Sequence, residues 1–392
     1  MKANSDKHKK ISVVLTIHGN DGNLLDQIDS LLNQSLTPDE IIIINSEIEI
    51  DIGEVHIRIR KNIKIRYFFS NERLFPGASR NQGLLKARNE IVAFLDSKTY
   101  PLNNWLESSL KVLNDEKSDL VFGKTQYLAK SFFQEVLLIS MYGKRHISTI
   151  PGTLIYKNSF KKIGNFLENV RAGEDLEWRS RILQNNRINY SESLTKNLIY
   201  KHLSKNIFKE MARSFRNSWS AAKIDAQVST RLLIFFLVFN FLIVITPNWN
   251  KYLGGYLFIP NITKIAGLTS SFLLVFFYLR YGNLMLSMLK KFLTTILLII
   301  CLTAYFVPRL YSDYYNEELV NLPLIYLMII ILFGFIFRGF ITPIRLGGRL
   351  TDILPIKWIF CGFVGLVNDI SKFPGYLLGA LFFIGKRIKL KG

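Results

Sequence analysis

The side chains with the strongest claim to chemistry are a few carboxylates, an arginine and two histidines, all within the first 202 residues. Asp96 closes the apolar run Ile91-Val-Ala-Phe-Leu-Asp96. The carboxyl end of a buried strand is where open α/β sheets gather their ligands. Glu174 and Asp175 open a helical pattern in Gly173-Glu-Asp-Leu-Glu-Trp178, a position that favours carboxylates through the helix dipole alone. Arg80 and Asn81 sit in Gly77-Ala-Ser-Arg-Asn-Gln-Gly83, where an arginine either pairs with phosphate or holds its loop. His18, Asn20 and Asp21 follow the first apolar run and fit turn and helix-cap chemistry. His202, in Tyr200-Lys201-His202, is on its own a structural histidine. The two cysteines, Cys301 and Cys361, lie in apolar stretches with no Cys-x-x-Cys spacing, so they read as small buried hydrophobes rather than zinc ligands.

These residues need a scaffold, and the first 200 or so positions supply one. Residues 11–17 form a continuous, β-branched run, the pattern of a strand buried on both faces; 40–44 reads as a second buried strand, and 63–69 and 90–95 as further strands. Residues 23–34 and 76–88 carry helical spacing between them. The alternation predicts βαβ units and a mostly parallel sheet.

Beyond residue 230 the character changes. Long apolar runs at 232–245, 256–279, 292–307 and 319–337 read as four membrane spans. The run 358–385 is interrupted by Asn368, Asp369, Ser371, Lys372 and Pro374, which predicts a broken hairpin or re-entrant segment. With the N-terminal domain in the cytoplasm, loops 280–291 and 338–357 and the tail after 385 carry eleven basic residues, against Lys251, Lys264 and Arg309 outside. Between the halves, Ile207, Met211, Phe215 and Trp219 recur every four residues, which suggests an amphipathic interfacial helix rather than one packed on the domain. The expected organisation is a cytoplasmic domain over 1–204, a linker helix over 205–229 and a membrane region over 230–392. The charged N-terminus, 1–10, has no apolar core and does not read as a signal peptide. A formal charge of +20 together with 49% hydrophobic residues points to an anionic membrane surface. Nucleic acid is not expected as a partner, since no recognition module appears.

Three segments stand in order: Ile11-Ser-Val-Val-Leu-Thr-Ile-His-Gly-Asn20; Gly77–Gly83 followed by Ile91–Asp96, Pro101 and Trp105-Leu106; and Gly173–Trp178. Together they resemble the family 2 glycosyltransferases with a GT-A fold, across roughly residues 10–205. The resemblance implies a Rossmann-like α/β domain followed here by a helical transmembrane region. It implies inverting transfer of a sugar from a nucleotide-sugar to an acceptor hydroxyl, the acceptor being a lipid-linked intermediate or a cell-envelope glycan.

On the family pattern Asp175 is the catalytic base. Asp96 reaches the donor and a divalent cation (Mg or Mn), with His202 as a further cation or diphosphate contact. Arg80 and Asn81 lie near the donor pocket, and His18 and Asn45 at its nucleotide end. Two positions depart from the pattern. Lys98 stands where Asp-x-Asp places its second carboxylate, and Ile44-Asn45-Ser46-Glu47 replaces the nucleotide-binding aspartates. An ammonium can meet a diphosphate as a point charge, so Lys98 is a candidate donor contact. The implied place is a cell membrane, with the domain on its cytoplasmic side. The competing reading is a catalytically silent, sugar-nucleotide-binding subunit of a glycan assembly complex. A transporter is disfavoured by the few charges within the spans, and a processive synthase by the absence of Gln-x-x-Arg-Trp.

Overall fold

The computed structural model describes residues 9–19, 24–53, 55, 63–143, 147–194, 196–224, 331–332 and 334–383. Asn20 and Asp21, the runs 232–245, 256–279 and 292–307, most of 319–337, and the basic stretches 280–291 and 386–391 lie outside them. Two compact units are present, Met1–Ala226 with Arg338–Gly392, and Gln227–Phe337. The stretch after 338, expected with the membrane region, thus groups with the N-terminal domain.

The first unit is a mixed α/β structure. Its elements are β1 (Ile11–Thr16), α1 (Leu24–Leu32), β2 (Glu40–Ser46), β3 (Lys64–Ser70), α2 (Pro76–Lys86), β4 (Ile91–Asp96), β5 (Thr99–Pro101), α3 (Trp105–Asp115), β6 (Leu120–Tyr127), α4 (Phe132–Leu137), β7 (Ile147–Tyr156), α5 (Lys157–Ile163), α6 (Glu174–Gln184), β8 (Tyr190–Glu192), β9 (Leu198–Tyr200) and α7 (Ile207–Ala221). After residue 337 come α8 (Thr342–Arg345), α9 (Leu350–Ile353) and α10 (Lys357–Phe382). The nine-stranded sheet of the described residues runs β3-β2-β1-β4-β7-β6-β9-β5, with β8 beside β6. Strands β3, β2, β1 and β4 are parallel, as their apolar runs predict, and β7 enters antiparallel.

Every side chain of β1 and β2 is buried, because helices cover both faces. On one face Val13, Leu15, Ile41, Ile43 and Leu95 meet Ile28 and Leu31 of α1 and Trp105 of α3. On the other, Val14, Ile42, Val92 and Phe94 meet Leu84 of α2, Phe160 of α5 and Trp178 of α6. Register aligns Thr16 with Asp96, so both strands end at the same level.

Two sequence expectations are corrected. Residues 358–385 do not form a broken hairpin: 357–382 is one 26-residue helix with Pro374 inside it. The polar cluster does not break α10 because it faces protein. Asn368 accepts from the Ser214 hydroxyl, Asp369 pairs with Arg338, and Asn368 and Ser371 are buried. Helix α7, expected as an interfacial helix, packs one side on α10 through Ser214 and Trp219, while Ile207, Met211 and Phe215 stay half-buried. A Cβ at Gly375 would stand 2.4 Å from the Phe215 carbonyl oxygen, and one at Gly379 would stand 2.6 Å from that of Trp219. This small-xxx-small spacing lets the two backbones approach closely. Among the described residues no helix is long and apolar enough to cross a membrane.

Gly83 fixes how close α2 lies to the sheet. A Cβ there would come within 2.2 Å of Val14 Cγ1, a buried, β-branched and therefore stiff neighbour. Alanine gains about 1 kcal/mol of helix propensity, but overpacking a core costs about 1–3 kcal/mol. The clash wins. Gly83→Ala is expected to lower the melting temperature of the full chain, and an unchanged or raised one would show that α2 shifts freely off β1.

Candidate active site

The site forms where β4 ends, beneath α2 and beside the N-terminus of α6. Arg80, on α2, is 3% exposed. Its Nη2 donates to both carboxylate oxygens of Asp96 at 3.0 Å, and its Nη1 to Glu174 Oε1 at 2.9 Å. The guanidinium lies over the Phe166 ring, 5.4 Å from its centroid. One buried cation thus ties the strand-end aspartate to the acidic pair that opens α6. Burial works against the Arg80 charge, but Asp96, Glu174 and Asp175 outweigh it and raise the guanidinium pKa.

The turn after Asp96 is held by α1 and β1. Gln27 Nε2 donates to the Asp96 carbonyl at 2.7 Å and to that of Thr99 at 2.9 Å. Thr16 Oγ1 donates to Asp96 Oδ1 at 3.3 Å, and the Ser97 amide to the Thr16 carbonyl at 3.0 Å. Lys98, at the tip, is exposed and has no ion pair or hydrogen bond among the described residues. Nothing in the sequence marked Gln27 as the clamp on this turn.

Asp175 is half-buried, and its Oδ1 accepts from the Leu176 amide at 2.8 Å. Its charge also reaches Tyr127, whose hydroxyl is raised chiefly by burial. Tyr127 packs against Tyr142 and Tyr200, with centroids 4.4 and 5.1 Å away. Burial raises Tyr200 as well, with Tyr127 and Asp96 adding to it. This aromatic wall was missed in the sequence because its members lie on separate elements.

Three residues expected near the donor have their polar atoms bonded to protein groups. Arg80 has its Nη atoms committed to carboxylates rather than open to phosphate. Asn45 Oδ1 accepts from the amides of Gly19 and Ser46, while its Nδ2 donates to the Ile48 carbonyl and the Tyr67 hydroxyl. That exhausts an amide side chain. Asn81 is buried and locks 166–168, donating to the Phe166 carbonyl and Glu168 and accepting from the Phe166 amide. His18 remains accessible. Its Nε2 lies 3.0 Å from Glu47 Oε2, and Glu47 also pairs with Arg73 at 3.3 Å.

His202 stacks on Tyr100, centroids 6.1 Å apart and planes 18° apart. The described residues contain no group of three or more His, Cys, Asp and Glu side chains able to hold a metal ion. With both Asp96 oxygens on Arg80 and a lysine two residues on, the side chains present do not fit a protein-held cation.

Residues 12–174 match the model of the Glycosyl transferase family 2. Over these residues the chain is similar to a family 2 glycosyltransferase domain. A glycosyltransferase of Rickettsia bellii is 29% identical over 176 residues, covering 42% of this chain and 25% of the relative. One of Haemophilus influenzae is 32% identical over 104 residues, 26% of this chain and 42% of the relative. The poly(ribitol-phosphate) beta-N-acetylglucosaminyltransferase TarS of Staphylococcus aureus is 25% identical over 179 residues, 42% of this chain and 31% of TarS. The chain therefore spans less than half the length of each of these relatives. Among solved structures, S. aureus TarS 1–349 with UDP-GlcNAc aligns over 96% of this chain and 92% of that one, at 13% identity and a TM-score of 0.40. The family match and the mixed sheet agree with a GT-A-like domain.

Burial pushes the Glu174 carboxyl up from 4.5 to about 7, against the pull of Arg80 and with Asp175 adding to the rise. A carboxyl with a higher pKa folded than unfolded keeps its proton longer in the folded chain. Its contribution to stability is therefore full below about pH 4.5 and lost as pH climbs to about 7, by up to roughly 3 kcal/mol. Glu174→Gln is expected to flatten stability over that window in denaturant titrations at successive pH values. An unchanged slope would assign the titration to another group.

Proposed function

We propose that this protein is an inverting glycosyltransferase that moves a sugar from a nucleotide-sugar to an acceptor hydroxyl, anchored at the cytoplasmic face of a membrane. The observation that carries this reading is the Arg80-centred cluster of Asp96 and Glu174, with half-buried Asp175 next to it, inside the matched domain. Asp175 takes the acceptor proton as the hydroxyl oxygen attacks the anomeric carbon from the face opposite the diphosphate. The carbon–oxygen bond to the diphosphate breaks, its electron pair leaves with the phosphate, and the configuration inverts. The positive charge for that leaving group comes from Lys98, which is exposed on the turn beyond Asp96 and free to pivot. His18 sits at the nucleotide end. The aromatic wall of Tyr127, Tyr142 and Tyr200 offers the acceptor an apolar, stacking surface. A lipid-linked or envelope glycan suits the apolar second half of the sequence and its charge asymmetry.

The silent-subunit reading rests on one observation, that Arg80 already occupies both Asp96 oxygens. The two separate in the purified full chain with UDP and UDP-GlcNAc as first probes, followed by other nucleotide-sugars, each with Mn²⁺ or with EDTA. The transferase reading expects thermal stabilisation by a donor and slow donor hydrolysis, lowered about 100-fold or more by Asp175→Asn. Binding with no turnover, unaltered by Asp175→Asn, would favour the silent subunit. No stabilisation by any donor would overturn both.

Lys98 adds a second measurement. Diphosphate binding is expected to survive EDTA and to weaken about fivefold in Lys98→Ala at low salt, consistent with the loss of one exposed charge contact of about 1 kcal/mol. Binding abolished by EDTA and unchanged in Lys98→Ala would return the role to a cation.

A further inference from the structure

Helix α10 carries a stripe that the catalytic domain leaves uncovered. Its inward side is buried through Cys361, Val364, Asn368, Ser371 and Tyr376. The opposite side presents Ile359, Phe360, Phe363, Ile370, Leu377 and Leu378, all exposed, with Phe363 at 56% and Ile370 at 66%. These positions fall one, three or seven residues apart, the spacing of one helical face. Val367 and Pro374, half-buried, fill the gaps, so no polar side chain interrupts the stripe. Exposed Ile344, Leu350, Leu354 and Ile356 extend the apolar surface back through α8 and α9. Scattered apolar residues on a surface need no explanation, but a continuous face of this length does.

Charge brackets this face. Arg345 and Arg349, both exposed, stand at its leading end. In the sequence Lys386, Arg387, Lys389 and Lys391 follow its trailing end. An apolar face with exposed arginines at its leading end and a basic run following it in the sequence matches an anionic bilayer surface, in which acyl chains take the stripe and headgroups take the cations. A second copy of the chain fits poorly. Whether α10 paired parallel or antiparallel with itself, basic ends would meet basic ends.

We propose that α10 lies in the plane of an anionic membrane, its stripe sunk into the headgroup–acyl boundary and its polar side fixed on α7. The helix is long enough to span a bilayer, yet Asn368, Asp369, Ser371 and Lys372 halfway along it, committed to Ser214, Arg338 and the protein side, forbid a crossing. The proposal stands on this face and not on sugar transfer, so it survives even if no nucleotide-sugar binds.

The test uses the full chain with Cys301→Ser and Cys361→Ser, reconstituted into nanodiscs of phosphatidylcholine with or without phosphatidylglycerol. Single substitutions Ile359→Cys, Phe363→Cys, Ile370→Cys and Leu378→Cys carry an environment-sensitive fluorophore. The expected result is that a nitroxide high on the acyl chain quenches all four labels to the same degree, and more than one near the chain end. Quenching is expected to strengthen at least twofold with phosphatidylglycerol and to lose that gain in Arg345→Gln/Arg349→Gln. Quenching that deepens steadily from 359 to 378 would mean a crossing helix and overturn the proposal. Labels reached by aqueous iodide, or by neither quencher, would leave the face to water or to protein and overturn it equally. Donor stabilisation measured on the same samples reports separately on the catalytic reading.

Discussion

The guanidinium of Arg80 is the constraint on which the domain's chemistry depends. It lies nearly without solvent, bonded at once to the aspartate at the end of β4 and to the glutamate that opens α6. Burying a cation costs several kcal/mol unless its partners are fixed and well aligned. Here they are fixed by the fold. Asp96 is held at the level of Thr16 by strand register, and Glu174 by the helix that packs Trp178 into the core. Losing the arginine would leave two carboxylates facing one another with nothing between, a change worth about 3–5 kcal/mol. The arginine thus fixes Glu174, and with it the position of Asp175, the next residue along.

Much of this fold was legible in the sequence because its signals are local. Ile11–Thr16 and Ile91–Asp96 are short, mostly apolar runs with β-branched residues, and their length and composition favour a strand buried on both faces. The motif carrying Arg80, Asn81 and Gly83 was legible as a site segment, but its roles were not. Whether an arginine meets phosphate or carboxylate depends on what the fold brings within 3.0 Å, and Glu174 lies 94 positions away. Asn45 and Asn81 follow the same logic, since an amide that could face a ligand is spent on backbone groups that only the folded loops bring near.

The misreading of 358–385 has a different cause. Asn368, Asp369, Ser371 and Lys372 were weighed as a break in an apolar run, which treats the segment as a line. On a helix the same residues fall toward one side, where Ser214 and Arg338 receive them. Composition then describes two faces rather than two segments. What read as an interrupted membrane hairpin is a single helix with a polar inner side, an apolar outer side and a glycine pair cut to the shape of α7.

Charge balance connects the departures from the family pattern. Around Arg80 stand three carboxylates, Asp96, Glu174 and Asp175, so the cluster is net negative before any donor arrives. A diphosphate would add to that repulsion, and two adjustments reduce it. Burial holds a proton on Glu174 up to about pH 7, which removes one negative charge. Lysine in place of a second carboxylate at position 98 removes another and adds a positive one. A site built on two strand-end carboxylates needs a divalent cation to admit a diphosphate. On the proposed reading, Asp96 tied to arginine and Lys98 standing exposed would move that positive charge onto the protein, on the same turn that Gln27 and Thr16 hold.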